Sequence, residues 1–400
     1  MFRNNAVLIV PLMLNETQTL MPNMPDETPA KRILHIFSSL ELGGAQRRFI
    51  EYLARTQAGF THSVYAMDSN YDALKLAEEL EVLGSGAQLV PKGNTLAAVK
   101  TARRLLKESN PHLLVTYNFG AIEWALANRF FPICPTVHIQ DGFTAEEQDA
   151  EIASRRLMRA FVYKGCKAVV VPSLTLESHA KASWGIKADR LKFIPNGIDI
   201  NKFICPPNHG LVNSLGIDQK KHIIGTVAGL RPEKNIGRLI EAFSHVEDEF
   251  PDTQLVIIGE GIGMPALKML ADRVCKKGAV IFTGGLPQPE YIYPIFELFA
   301  LSSNTEQMPL SVIEAMAAGL PVVSTNVGDI THMVADTNKD YITGQDAKIL
   351  AENLCALLRV PDVANRIGAA NQEKAKTEYG IEHMVETYDS LFSRCCRQTD

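Results

Sequence analysis

The sequence has little that would mark a membrane, secreted or metal-held protein. Across 400 residues no apolar run approaches the ~20 uninterrupted residues that span a bilayer, which argues against an integral membrane protein. The seven cysteines are odd in number and scattered. Only Cys395 and Cys396 adjoin, and none are spaced Cys-x-x-Cys, which argues against a disulfide framework or a zinc module and for a reduced, cytoplasmic setting. No Walker A sequence occurs, and no two aspartates stand two apart. A net charge of −5 argues against a dedicated nucleic-acid binder.

What is there reads as ordinary globular protein, 46% apolar and 21% charged. At ~150 residues per domain the chain holds two domains, or three. Residues 1–200 carry +2 and residues 201–400 carry −7, which fits two halves with different partners. Arg3 ahead of the apolar run 6–14 resembles a signal sequence. Pro11 interrupts that run and no small-x-small site follows, so residues 1–30 read as a poorly ordered extension.

From Arg32 onward short β-branched runs alternate with amphipathic segments, the pattern of a parallel sheet covered on both faces. Strands are predicted over 33–37, 62–66, 88–91, 113–117, 136–139 and 168–172, with helices over 46–54, 74–83, 96–108, 122–131, 147–164 and 176–183. The cluster Cys205-Pro206-Pro207-Asn208-His209-Gly210 reads as part of an interdomain linker over 197–218. Alternation then restarts. Strands are predicted over 223–228, 255–258, 280–283, 298–301 and 321–324, and helices over 236–246, 265–275, 289–296, 311–318, 347–358, 362–377 and 382–394. The expected architecture is two Rossmann-like, doubly wound α/β domains, 31–196 and 219–378, facing across a cleft, with 379–400 crossing back to the first. Chemistry is then expected in the loops after the strands' carboxyl ends.

Two such loops stand out. Glu306-Gln307-Met308-Pro309-Leu310-Ser311 follows a strand and opens a helix that holds Glu314 and ends at Gly319. The first amides of that helix, near Leu310 and Ser311, have no partner within it and sit at the positive end of its dipole, which suits a phosphate. Glu314, a turn in, can accept from a cis-diol such as ribose, and Glu306 can face a sugar hydroxyl or an electron-poor carbon. The alternative is a solvated helix residue and a loop charge, although Val312, Ile313, Ala315 and Met316 flank Glu314. In Gly229-Leu230-Arg231-Pro232-Glu233-Lys234-Asn235 the cations Arg231 and Lys234 stand where a diphosphate would be held. The alternative there is a surface ion pair with Glu233. Gly259-Glu260-Gly261-Ile262-Gly263 lacks the spacing of a dinucleotide fingerprint, which argues against an NAD enzyme.

Together with Ile194-Pro195-Asn196-Gly197-Ile198-Asp199 and Gly43-Gly44-Ala45-Gln46-Arg47, these blocks resemble the retaining glycosyltransferases of the GT-B fold, family 4, from Arg32 to about Phe392. The resemblance implies a nucleotide-sugar donor in the second domain and a glycan or lipid-linked acceptor in the first. Arg231 and Lys234 would hold the diphosphate, Glu314 the ribose, and Glu306 the transferred sugar. Gly43, Gly44 and Gly259 would let backbone approach the donor, and Arg47 is an acceptor-side candidate. The chain departs from the family at two places. Gly229 stands where its phosphate-binding arginine commonly falls. Asp141 stands where a histidine often does, with His138 three residues earlier, so either can be the acceptor-side residue. The missing Asp-x-Asp clamp suggests catalysis without a metal or other cofactor, the cations and helix-start amides neutralising charge instead. Basic residues Lys100, Arg103, Arg104 and Lys107, and Arg155, Arg156, Arg159 and Lys164, fit a solvated helix face or peripheral contact with anionic lipid at the inner face of the cytoplasmic membrane. The expected reaction is sugar transfer to a hydroxyl with retention, in polysaccharide or envelope glycoconjugate synthesis. The alternatives are a non-catalytic nucleotide-sugar binder or a GT-B epimerase or phosphorylase.

Overall fold

A computed structural model describes residues 7–8, 30–41, 43–77, 95–147 and 150–396. The chain divides into two compact units, Met1–Ile194 with Met384–Asp400, and Pro195–His383.

The first unit is built on β1 (Val7–Leu8), β2 (Arg32–Phe37), β3 (Thr61–Ala66), β4 (Leu113–Tyr117), β5 (Thr136–Ile139), β6 (Ala168–Val171) and β7 (Leu191–Phe193). They form one sheet in the order β1-β3-β2-β4-β5-β6-β7, parallel at every pairing. All five residues of β4 are buried, as expected of a strand covered on both faces. The only two tryptophans, Trp124 and Trp184, are buried in the helices against this sheet. The second unit carries β8 (His222–Val227), β9 (Thr253–Ile258), β10 (Val280–Gly284), β11 (Leu298–Leu301), β12 (Val322–Thr325) and β13 (Ile342–Thr343). Its order is β10-β9-β8-β11-β12-β13, again all parallel, the strand order of a Rossmann sheet. Each unit is therefore Rossmann-like.

Several boundaries differ from expectation. Within residues 1–30, Val7 and Leu8 pair with His62 and Ser63 at the sheet edge rather than standing apart. The rest, Ala30 excepted, lies outside the described residues, as do the predicted strand 88–91 and most of the helix 74–83. Residues 197–218 are not a linker. Ile198, Ile200, Phe203, Val212 and Ile217 are buried in the second unit's core, and Asn208 caps a short helix, His209–Ser214. The segment 289–296 is two 3-10 turns and not an α-helix, because Pro294 falls in its interior, where it removes a backbone donor and its ring crowds the preceding turn. The last helix, Ile381–Cys396, opens with the Ile381 amide on the Ile198 carbonyl. The chain rejoins the first unit at Met384, where Asp389 accepts from Tyr52 (2.8 Å) and Thr56 (2.6 Å).

The core of the first unit holds three histidines. His35 is hydrogen-bonded to Tyr117 (3.1 Å) and to His62 (2.9 Å), and His138 to Thr116 (2.8 Å). Burial pushes the His62 and His138 imidazoles down to about 3, and burial, then the neighbouring His62, lowers His35 as well. The unfolded chain protonates these rings near pH 6.5 while the folded one does not. Stability is therefore lost as pH falls below that value, by about 1.4 kcal/mol per pH unit for each ring. Melting of the first unit is expected to weaken steadily from about pH 7 to about pH 5, and a His138→Gln variant to show a shallower slope. A melting temperature independent of pH over that span would contradict the assignment.

Candidate donor site in the second unit

Strand order in the second unit reverses between β8 and β11. Ligands of open parallel sheets bind outside the carboxyl ends of strands at such a reversal, where the flanking loops diverge. The loop after β8, residues 229–235, carries Lys234. The loop after β11, residues 302–309, carries Glu306. Although 72 positions apart, Lys234 Nζ donates to Glu306 Oε1 at 2.5 Å, and Ser303 Oγ donates to the same oxygen at 2.7 Å. The pair is nearly enclosed, at 18% and 9% exposure.

Beyond Glu306 the chain enters the helix Leu310–Ala317 through Pro309, whose φ of −68° is ready-made for a helix start. No side chain caps this end, so the Leu310 and Ser311 amides keep the unsatisfied donors and positive partial charge of a helix N-terminus. Glu314, one turn in, is 5% exposed, and its Oε2 accepts from Tyr293 Oη at 2.7 Å. Tyr293 is itself buried and sits in the turns ahead of β11. Sequence reading passed over Tyr293; an aromatic hydroxyl in an apolar stretch, which needs a partner when buried, was the signal. Tyr293→Phe removes a hydrogen bond to a carboxylate and is expected to cost the second unit about 1.5–3 kcal/mol in urea unfolding. An unchanged midpoint would mean that the bond contributes nothing.

Asn196, from the junction motif, fixes the same loop from behind. Its Nδ2 donates to the Met308 carbonyl at 2.8 Å. Gly259 meets a demand of the fold, for it adopts a φ of +146° and a Cβ there would lie 1.9 Å from the Ala228 carbonyl oxygen. Its lack of a side chain lets β9's end pass under the β8 loop, and contact with a donor is not required to explain it. Arg231 is not brought to the Lys234–Glu306 pair. It is 62% exposed and bound to Glu233 through Nε at 2.8 Å, the surface pairing that was its alternative.

In the first unit the corresponding reversal lies between β2 and β4. Gly43 and Gly44, after β2, are exposed at the start of the helix Gly44–Arg55, and the φ of −151° at Gly43 is open to any residue. No backbone strain accounts for glycine at that point. Asp141 follows β5 and is 16% exposed. Arg48 binds it at 2.5 Å, Asn118 Nδ2 donates to it at 3.3 Å, and its own amide donates to Asn118 Oδ1 at 2.7 Å. The residue that reaches Asp141 is thus Arg48, 5% exposed, one position after the candidate Arg47, which is half-buried. His138 is fully buried, stacked on Tyr163 at 4.2 Å, and belongs to the core rather than to an acceptor surface.

The loop from Asp141 to the helix Ala153–Tyr163 is held by Arg159. This guanidinium is fully buried, so it cannot join a basic outer face as expected. It forks onto both Glu147 oxygens (2.8 and 2.7 Å), reaches Glu151 at 2.7 Å, and lies against the rings of Phe119, Phe143 and Trp184. Burial alone would raise the Glu147 carboxyl. Its hydrogen bonds to Arg159 and that residue's charge outweigh burial and bring it down to about 2.

Comparison with known proteins agrees with this geometry. Residues 42–202 match the family model for Glycosyltransferase Family 4, and residues 211–374 that for Glycosyl transferases group 1. EpsF of Bacillus subtilis, named as a glycosyltransferase, is 26% identical over 312 residues, 73% of this chain and 78% of that one. The alpha-monoglucosyldiacylglycerol synthase of Acholeplasma laidlawii is 26% identical over 243 residues, 57% of this chain and 58% of the synthase. Among solved structures, Anabaena HepE in complex with UDP and glucose superposes with a TM-score of 0.77 at 18% identity, covering 91% of this chain and all of HepE.

Proposed function

Because the chain belongs to the GT-B glycosyltransferases of family 4, we propose that it moves a sugar from a nucleoside-diphosphate donor held in the second unit to a hydroxyl acceptor, with retention and without a metal. The observation that carries this reading is the Lys234–Glu306 pair beside an uncapped helix start, with the buried Glu314 one turn further on. Lys234 and the Leu310 and Ser311 amides would take the diphosphate and stabilise the charge that grows on it as the bond to the anomeric carbon breaks. Glu314 would accept from the ribose hydroxyls, and Glu306 would face the transferred sugar. The acceptor hydroxyl would attack on the face the diphosphate leaves, its proton passing to a departing phosphate oxygen, so no side-chain base is required. Lys234 is the principal cation in this scheme. Arg231 would first have to leave Glu233.

On the first unit, Arg47 and Asp141 are the acceptor-side candidates, with Asp141 oriented by Arg48, and Gly43 and Gly44 would let backbone approach the donor. A lipid-linked acceptor and peripheral membrane contact are supported by the Acholeplasma relative, which is named as a monoglucosyldiacylglycerol synthase. They are supported too by the exposed Phe130 and Phe131, with the Arg103 guanidinium over the Phe131 ring and that of Arg129 over the exposed Phe161. No helix among the described residues is long and apolar enough to cross a membrane.

A thermal-shift panel of UDP-, GDP- and ADP-sugars in EDTA tests the donor site. A donor at 100 times its Kd adds about 2.7 kcal/mol of stability. One of the three is expected to raise the melting temperature without metal, and proton NMR of the product to show the donor's anomeric configuration kept. No shift with any donor, or a shift only with Mg²⁺, would overturn the reading.

A further inference from the structure

The two loops that carry Lys234 and Glu306 come from strands adjacent in the sheet but distant in sequence, and something must set their spacing. The Lys234–Glu306 contact cannot do this alone, since a donor would compete for both groups. In the segment Ser302-Ser303-Asn304 that leaves β11, neighbouring residues take different partners. Ser303 turns its hydroxyl to Glu306, while Ser302 and Asn304 face the β8 loop. Ser302 Oγ donates to the Asn235 carbonyl at 2.9 Å, and the Asn304 amide donates to the Glu233 carbonyl at 2.8 Å. Asn304 Oδ1 accepts from Asn235 Nδ2 at 3.0 Å.

At the centre of these bonds is Arg238, in the first turn of the helix Ile236–Glu249. One guanidinium nitrogen donates to the Ser302 carbonyl at 2.7 Å and the other to Asn304 Oδ1 at 2.8 Å. The helix start that aims Arg238 is itself fixed by Asn235. Asn235 adopts a left-handed φ of +41°, and its side chain accepts from the Arg238 amide. No carboxylate lies within salt-bridge distance of Arg238 among the described residues. Its charge is met by neutral oxygens, whereas Lys234 and Arg231 are each paired with a glutamate.

We infer that Arg238 is a positioning residue for the donor site: its planar fork across Ser302 and Asn304 sets the spacing between Lys234 and Glu306. A lysine has the charge but cannot span both oxygens in one plane. The inference rests on the proposed donor reading, but its loop-holding half does not depend on the ligand.

The test compares the wild-type chain with Arg238→Ala, Arg238→Lys and Asn304→Ala by hydrogen–deuterium exchange, and by calorimetric titration with UDP, GDP and ADP. Peptides covering 230–235 and 302–309 are expected to exchange about tenfold faster in all three variants, while β9 keeps its protection. The tightest nucleoside diphosphate is expected to lose about tenfold in Kd, as for one lost hydrogen bond. Low, non-denaturing guanidinium is expected to restore affinity to Arg238→Ala and not to Arg238→Lys, a response a purely structural role would not give. Wild-type exchange and affinity in Arg238→Lys would overturn the proposal. If Arg238→Ala does not fold, Arg238→Lys and Asn304→Ala decide it. If none of the three diphosphates binds the wild-type chain, the donor reading fails. The exchange comparison then still decides the loop-holding claim, wild-type rates refuting it.

Discussion

Replacing Arg159 with leucine is expected to destabilise the first unit by about 3–5 kcal/mol, because two enclosed carboxylates lose their nearest cation and keep only Arg155, 3.5 Å from Glu147, and His179, 2.9 Å from Glu151. Glu147 and Glu151 are 0% and 6% exposed, so water cannot replace the guanidinium. For a unit of this size that is a fall in melting temperature of roughly 6–20 °C, read by scanning calorimetry. Adding Glu147→Gln and Glu151→Gln to Arg159→Leu is expected to recover part of the loss, because the stranded charge is the larger share of the cost. An equal loss in the single and triple variants would assign it to packing against Phe119, Phe143 and Trp184 instead. The same network adds an acid limit. With its folded pKa near 2, Glu147 stabilises the unit above about pH 4.5 and loses that contribution as pH falls toward 2, below the range where the buried histidines begin to act.

The second large effect is on turnover. Lys234→Ala is expected to lower it by about 10²–10³-fold, the scale of removing one preorganised donor from a developing anion. The fold is expected to survive, because Ser303 still donates to Glu306 and the Arg238 bonds hold the loops. Glu306→Gln keeps the shape and removes the charge. It separates a carboxylate that acts on the sugar from one that serves only to hold Lys234. Wild-type turnover in Lys234→Ala would show that the leaving group is stabilised elsewhere.

The sequence disclosed the scaffold well where strands are long and β-branched. β11 is apolar throughout, and β2, β4 and β9 are mostly so, because parallel strands covered on both faces have no solvent side to mark with polar residues. β7 and β13, three and two residues long, carry too little pattern to find. Pro206 and Pro207 suggested a linker, but the burial of Phe203, Val212 and Ile217 outweighs local punctuation. In 289–296 the helical spacing of apolar residues hid the interruption at Pro294.

At the site, Lys234, Glu306 and Glu314 were legible because each sits within a local motif. Arg238, Asn304 and Arg48 were not, since their chemistry appears only through partners 66 and 93 positions away. A histidine in a β-strand is equally ambiguous until its burial is known, and for His138 burial decided against the acceptor surface.

In the proposed function the second unit grips a nucleoside diphosphate between Lys234 and the helix that begins at Leu310. A crystal structure with the diphosphate that binds most tightly tests it directly. Diphosphate oxygens are expected within hydrogen-bond reach of Lys234 Nζ and the Leu310 and Ser311 amides, with ribose hydroxyls on Glu314. Nucleotide bound on another face of the unit, or a diphosphate turned away from Lys234, would contradict it.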